Sequence, residues 1–252
     1  MDSFIGWIGG KKLLRSTIIE RFPKELPTSY VEVFGGAGWV FFAKEKTPKQ
    51  LEVFNDADSN LINLFRCIKY HREAVLQELE FLLSARETFY DFREQMAVQG
   101  LTDIQRAARY FYLIKVSFGC DRRSFGTNKK RIDKTMERLS EIQERLVGVV
   151  VENKDFEALI NLYDKAGALF YLDPPYHGTE KHYDGKFTLQ DHYRLRDCLK
   201  KIKGKFILSY NDDEFIRELY AGFNIEGVLR NSTLAAHSAS GDKFAEVIIT
   251  NY

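Results

Sequence analysis

Apolar positions along the chain alternate between two rhythms. From Lys11 to Arg21 the residues Leu14, Ile18 and Ile19 share one helical face, and Pro23 ends the run by steering the preceding backbone out of the helical region. Tyr30 to Phe34 reads as a buried strand that runs into the turn Gly35-Gly36-Ala37-Gly38, and Trp39 to Lys44 then starts a helix. Gln50 to Phe54 is a second strand, closed by Asn55-Asp56. From Leu61 to about Ile114 the pattern is helical, carried by Leu61, Leu64, Phe65 and Ile68 and then by Val75, Leu76, Leu79, Leu82 and Leu83. Met136 to Leu146 is helical again. Strands are then predicted at Gly148 to Val151, Leu169 to Leu172, Phe206 to Leu208 and Phe244 to Asn251, with helices over Gln190 to Lys201 and Asp213 to Tyr220. The pattern predicts one α/β domain made of two stretches, 1–60 and 147–252, separated by a helical insertion over 61–146.

Composition narrows the class without naming a function. The 252 residues, 44% hydrophobic and 29% charged, are enough to bury a sizeable core, which excludes global disorder. No stretch approaches the roughly 20 apolar residues of a membrane span, and the first residues lack the pattern of a signal peptide. Cys67, Cys120 and Cys198 are few, odd in number and far apart, so neither a disulfide framework nor a metal cage is expected, and the cytoplasm is the expected compartment. The net charge of +1 hides an asymmetry: residues 106–134 hold nine basic and two acidic residues, a local +7 that leaves the rest of the chain at −6. Such a block presents a surface to phosphate, although a solvated helix face has the same composition.

Two stretches carry candidate chemistry. A strand, a glycine-rich turn and a helix, followed about 20 residues on by an acid at the end of the next strand, is the layout of a nucleoside-binding crevice. The acid here is Asp56. The turn lacks the G-x-G-x-x-G spacing that serves a pyrophosphate, so a nucleoside without phosphate fits better; a plain turn with a solvated Asp is the alternative. Lys11 is not a Walker lysine, because Ile5 stands where the glycine would be and Lys12 where Ser or Thr would be. The second stretch is Asp173-Pro174-Pro175-Tyr176, at the end of the Leu169 to Leu172 strand. Two prolines remove N–H donors and leave carbonyls to accept. Asp173 and the Pro174 carbonyl together suit an exocyclic amine, and Tyr176 offers a ring on which a base stacks for roughly 1–3 kcal/mol.

Taken together, Phe4-Ile5-Gly6-Trp7-Ile8-Gly9-Gly10-Lys11, Glu32 to Gly38, Asn55-Asp56 and Asp173-Pro174-Pro175-Tyr176, in that order, resemble the Dam-like (D12 class) DNA adenine-N6 methyltransferases. Asp191-His192 and Leu208 to Asp212 add to the likeness, which spans nearly the whole chain. The resemblance implies a Rossmann-like, S-adenosylmethionine-dependent methyltransferase sheet with an inserted, mainly helical target-recognition domain. It implies cofactor contacts from Trp7, Lys11, Gly35, Gly38, Asp56 and Asp173, and a catalytic set of Asp173, Pro174 and Tyr176. No metal is implied. The methyl group would pass directly to N6 of an adenine flipped out of double-stranded DNA. The insertion would touch DNA through a hairpin over Ser117 to Gly126, with Arg122, Arg123, Ser124, Lys129 and Lys130 as the candidate contacts. That segment is shorter than the usual Dam hairpin. A second basic loop, Arg230 to Lys243, is expected near the active edge, with His237 at its surface. The family commonly works as a monomer, with no obligate partner.

Other readings share parts of this pattern. Cytosine-N4 methylation needs the same acceptor geometry, and the leading Asp of the D-P-P-Y run favours adenine by resemblance only. A catalytically idle DNA-binding relative is a further class, disfavoured by the intact Asp173, Asp56 and glycine turn. A nicotinamide oxidoreductase is disfavoured by the turn and by the basic insertion.

Overall fold

The computed structural model describes residues 1–127, 132–179, 187–231 and 243–252. In chain order the elements are α1 (Arg15–Ile19), β1 (Ser29–Glu32), α2 (Trp39–Ala43), β2 (Leu51–Asn55), α3 (Ser59–Leu79), α4 (Arg86–Gln95) and α5 (Asp103–Val116). There follow α6 (Ile132–Met136), α7 (Leu139–Arg145), β3 (Val150–Glu152), α8 (Phe156–Tyr163), β4 (Ala168–Leu172), α9 (Leu189–Lys201), β5 (Lys205–Asn211), α10 (Glu214–Leu219), β6 (Asn224–Asn231) and β7 (Lys243–Thr250). The strands form one sheet in the order β3-β2-β1-β4-β5-β7-β6. β1 pairs in parallel with β2 and β4, and β4 with β5, whereas β7 runs antiparallel to β5 and β6. This is a mostly parallel, Rossmann-like sheet.

β1 and β4 are buried at every position, which is why they read as continuous rather than alternating runs. Their order places Gly35, Asp173 and Asp212 just beyond the carboxyl ends of β1, β4 and β5, the edge where open α/β sheets bind ligands.

The chain divides into two compact units. One comprises residues 1–10, 36–46 and 56–153, and is mainly helical. Its core joins the start of the chain to the long helices: Phe4 stacks on Phe111 at 6.2 Å and meets Phe65 edge-on at 5.3 Å, all three fully buried. Burying each such ring contributes roughly 1.5–3 kcal/mol. α5 begins at a capping box, in which Thr102 and Gln105 satisfy each other's backbone N–H groups. The other unit comprises residues 11–35, 47–55 and 154–252, and holds every strand except β3.

Several elements differ from expectation. The helix expected from Lys11 is α1 alone, five residues from Arg15, because 12–14 form turns. α8 had no counterpart in the predicted pattern, although Asp155 caps it by accepting the Glu157 N–H at 3.0 Å. β6 was also missed. It is an edge strand with a largely exposed face and Gly227 in its interior, so it carries no apolar alternation, and Arg230 and Asn231 belong to it rather than to a loop. Residues 232–242 of that predicted loop, including His237, lie outside the described residues.

Candidate active site

The helical unit gathers one group of candidate residues around the glycine turn. Asp56 leaves the end of β2 and folds back on the turn: Oδ2 accepts the Gly36 N–H at 2.8 Å and Oδ1 accepts the Asp58 N–H at 2.8 Å. Asp58 caps α3 through Oδ1 and accepts the Tyr110 hydroxyl through Oδ2 at 2.5 Å. Burial pushes the Asp56 carboxyl up to about 6, although the Asp58 and Gly36 N–H groups and the Arg122 charge oppose that rise. Gly36 has φ +48°, and a Cβ there would lie 2.9 Å from Cδ1 of the Trp7 ring. Gly38 has φ +69° and precedes α2. In each case glycine is required by the backbone, and at Gly36 also by the closeness of Trp7.

That closeness is testable. Gly36→Ala adds about 1–3 kcal/mol of left-handed strain and must displace Trp7, so a lower melting temperature and a shifted tryptophan emission are expected. An unchanged spectrum would mean that the turn relaxes without touching Trp7.

Arg122 belongs to this group as well. Its guanidinium lies 4.8 Å from the Trp7 ring centre and 5.4 Å from that of Tyr110, a cation–π arrangement. It stands on a short hairpin in which Ser117 bridges Phe125 and the Phe118 N–H donates to the Ser124 carbonyl at 2.9 Å. Gly119, Cys120 and Arg122 all have positive φ, +57°, +64° and +60°. Asp121 ties the tip together by accepting the Arg123 N–H at 2.8 Å and the Ser124 N–H at 3.1 Å, and it takes the Ser124 hydroxyl too. Of the DNA-contact candidates, Arg123 and Ser124 are exposed and Arg122 is half-buried. Lys129 and Lys130 lie outside the described residues.

A second group lies in the strand-rich unit. Asp173 follows β4, and its Oδ1 takes the Lys11 ammonium at 2.7 Å and the Ser209 hydroxyl at 2.9 Å. No described residue bonds Oδ2, and the side chain keeps 17% of its surface open. Burial raises the Asp173 carboxyl above its ordinary value, and the Lys11 ammonium opposes the rise. Tyr176 donates its hydroxyl to Glu246 Oε2 at 2.6 Å, and burial with the Asp173 and Glu246 charges holds that phenol far above its ordinary value. Lys11, expected at the cofactor, is also a partner of the D-P-P-Y run. Gly35 has a packing reason: a Cβ would come 2.4 Å from Cζ of Phe54. Asn55 fastens the end of β2 by donating to the Val33 carbonyl at 2.8 Å. Ser209 and Glu246 carried no predicted role; for Glu246 the signal is a lone carboxylate heading the apolar run Val247 to Ile249.

Sheet order, glycine turn and D-P-P-Y edge together define a Rossmann-like methyltransferase. Residues 7–234 match the D12 class N6 adenine-specific DNA methyltransferase family, and the chain belongs to it. It is similar to Type II methyltransferase M1.LlaDCHI of Lactococcus lactis subsp. cremoris, with 32% identity covering 99% of this chain and 95% of the relative. Type II methyltransferase M.MjaIII of Methanocaldococcus jannaschii is 28% identical over 99% of this chain and 98% of its own length. The retron Ec67 DNA adenine methylase of Escherichia coli is 26% identical over 98% and 90%. The protein is accordingly a site-specific DNA methyltransferase acting on adenine. Among the described residues no helix is long and apolar enough to cross a membrane.

Proposed function

We propose that this enzyme uses S-adenosylmethionine to methylate N6 of an adenine turned out of double-stranded DNA, acting as a cytoplasmic monomer. The observation that carries the reading is Asp173, whose Oδ1 is held by Lys11 and Ser209 while Oδ2 has no described partner at the carboxyl edge of β4. When bound, S-adenosylmethionine would supply an electrophilic methyl group, its sulfonium–methyl bond breaking to leave a neutral thioether.

The residues around the glycine turn fit that cofactor. Asp56 retains lone pairs for ribose hydroxyls, Gly36 and Gly38 open the backbone, and Trp7 offers an aromatic face to a cation or an adenine ring. Gly35 completes the turn. At the other group, Asp173 Oδ2 and the Pro174 carbonyl accept the two N–H bonds of the target amine and draw its lone pair out of conjugation with the ring. Nitrogen becomes cationic as it forms the new bond, and the Asp173 carboxylate stabilises that charge. Its raised proton affinity suits it to hold the proton that nitrogen then releases. Tyr176 stacks on the base. No side chain forms a covalent bond to the substrate.

Residues 61–146 serve as the target-recognition insertion in the catalytic framework of 1–60 and 147–252, with Arg122, Arg123, Ser124, Lys129 and Lys130 as its DNA contacts. Arg123→Ala is expected to weaken DNA binding and to reduce the slope of log affinity against log salt by about 1, as for one lost phosphate contact. Arg122→Ala is expected to weaken cofactor binding as well, because its guanidinium lies on Trp7. Equal effects of the two changes on DNA alone would remove Arg122 from the cofactor group.

The defining experiment is transfer of tritiated methyl from S-adenosylmethionine to unmethylated genomic DNA, with nucleoside analysis of the product. N6-methyladenine is expected; N4-methylcytosine would overturn the base assignment.

A further inference from the structure

The last strand of the sheet brings a buried carboxylate to the D-P-P-Y run. Glu246, on β7, is 1% exposed and heads an otherwise apolar stretch. An ionised group at such a position is retained at a cost that an apolar side chain would avoid, so its contacts indicate what it is for. There are two that matter. Its Oε2 accepts the Tyr176 hydroxyl at 2.6 Å, and the same oxygen lies 3.8 Å from the Lys11 ammonium. Lys11 in turn sits 2.7 Å from Asp173 Oδ1 and 4.5 Å from the centre of the Tyr176 ring.

Lys11 alone would cancel the charge of Asp173, and a neutral pair does little for an amine that becomes cationic. Glu246 sets a second carboxyl beside the single ammonium, so these three groups have a formal net charge of −1. The Tyr176 hydroxyl, set in a low-dielectric surrounding, also needs an acceptor, and the one it has fixes the plane of the ring.

We propose that Glu246 is a positioning residue for methyl transfer: it fixes the Tyr176 ring through the phenol and shares Lys11 with Asp173, leaving that cluster negatively charged where the amine turns cationic. This rests on the reading of Asp173 as the group that engages the amine.

Glu246→Gln, Glu246→Asp, Tyr176→Phe and Asp173→Ala test it together. Each is assayed for single-turnover methyl transfer to unmethylated genomic DNA, for KM, for S-adenosylmethionine affinity by calorimetry and for melting temperature. Glu246→Gln keeps the shape and an acceptor for Tyr176 but removes the charge. It is expected to fold, to bind cofactor normally and to slow the single-turnover step by about 10- to 100-fold with KM for DNA unchanged. Glu246→Asp, which keeps the charge, should recover more of the rate. Lys11, Glu246, Tyr171 and Tyr176 are the titratable groups described around Asp173. Of these Glu246 raises the Asp173 proton affinity, so the acid limb of the rate profile should move to lower pH in Glu246→Gln. Tyr176→Phe isolates the ring-holding contact, and a wild-type rate in it would remove that half of the role even if the Glu246 variants unfold. A wild-type rate and profile in Glu246→Gln, with Asp173→Ala inactive, overturns the inference alone. Activity in Asp173→Ala overturns the reading beneath it.

Discussion

Asp173→Ala slows methyl transfer by about 10²–10³-fold or more, the usual consequence of removing one preorganised electrostatic group from a reacting centre. DNA binding stays close to wild type, because Asp173 contributes no positive charge to the phosphate surface. The variant also takes from the Lys11 ammonium its carboxylate at 2.7 Å and leaves Glu246 at 3.8 Å. Asp173→Asn separates these effects: it keeps one carbonyl acceptor while discarding the charge, and its rate should fall nearly as far. Single-turnover rates and filter binding on the same DNA provide the check, and a variant that methylates normally would remove Asp173 from the chemistry.

The second large effect concerns Asp56. Hydrogen bonds to a charged group are worth about 1.5–3 kcal/mol, so Asp56→Ala should raise the S-adenosylmethionine dissociation constant by roughly 10- to 100-fold. Loosening of the Gly36 and Asp58 N–H groups that it now holds adds to that loss. A pH dependence accompanies it. The Asp56 carboxyl protonates at about 6 rather than near 4, so the ionised form to which the ribose contact is assigned in the proposal is present above that value and lost below it. Wild-type affinity should therefore be flat from pH 7 to 8 and weaken as pH falls through about 6, approaching tenfold per unit. Asp56→Ala should show no such limb. Titration calorimetry at several pH values measures both, and a wild-type curve that stays flat down to pH 5 would mean that the carboxylate does not hold the ribose.

Much of this site could be read from the sequence, because local chemistry dictates it. The turn Gly35 to Gly38, Asp56 and the D-P-P-Y run each follow a strand directly, and their residue types report a backbone or an acceptor requirement that no fold is needed to see. What could not be read depends on pairing between distant segments. Glu246 meets Tyr176 only because β7 inserts antiparallel between β5 and β6, and nothing in either local stretch announces that neighbour. Arg122 reads in the sequence as a DNA contact on a hairpin, and only the fold of that hairpin, with its three positive-φ residues, shows it lying on Trp7. Lys11 sits four residues from Trp7 in sequence, yet Asp173 and Glu246 are among its partners. β6 was missed for a different reason: an exposed edge strand needs no apolar alternation, since the backbone of β7 supplies its pairing.

The way the two compact units share the chain has a consequence for inheritance. The polypeptide passes from one to the other between residues 10 and 11, 35 and 36, 46 and 47, 55 and 56, and 153 and 154. Neither unit is encoded as a single block, so no simple gene fusion can lift one of them into another protein intact. Each unit has one long block, 56–153 in the first and 154–252 in the second, and 56–153 carries α3 to α7, β3 and the hairpin. Exchange of that block between relatives would bring in a new hairpin and would leave Lys11, Asp173 and Glu246 untouched, while the incoming helices would have to accept Phe4 and the turn at Gly36 from the host. If 61–146 is the target-recognition insertion proposed above, such an exchange changes what the enzyme reads on DNA and keeps the Asp173 group, provided that the incoming block brings its own counterparts of Asp56 and Arg122.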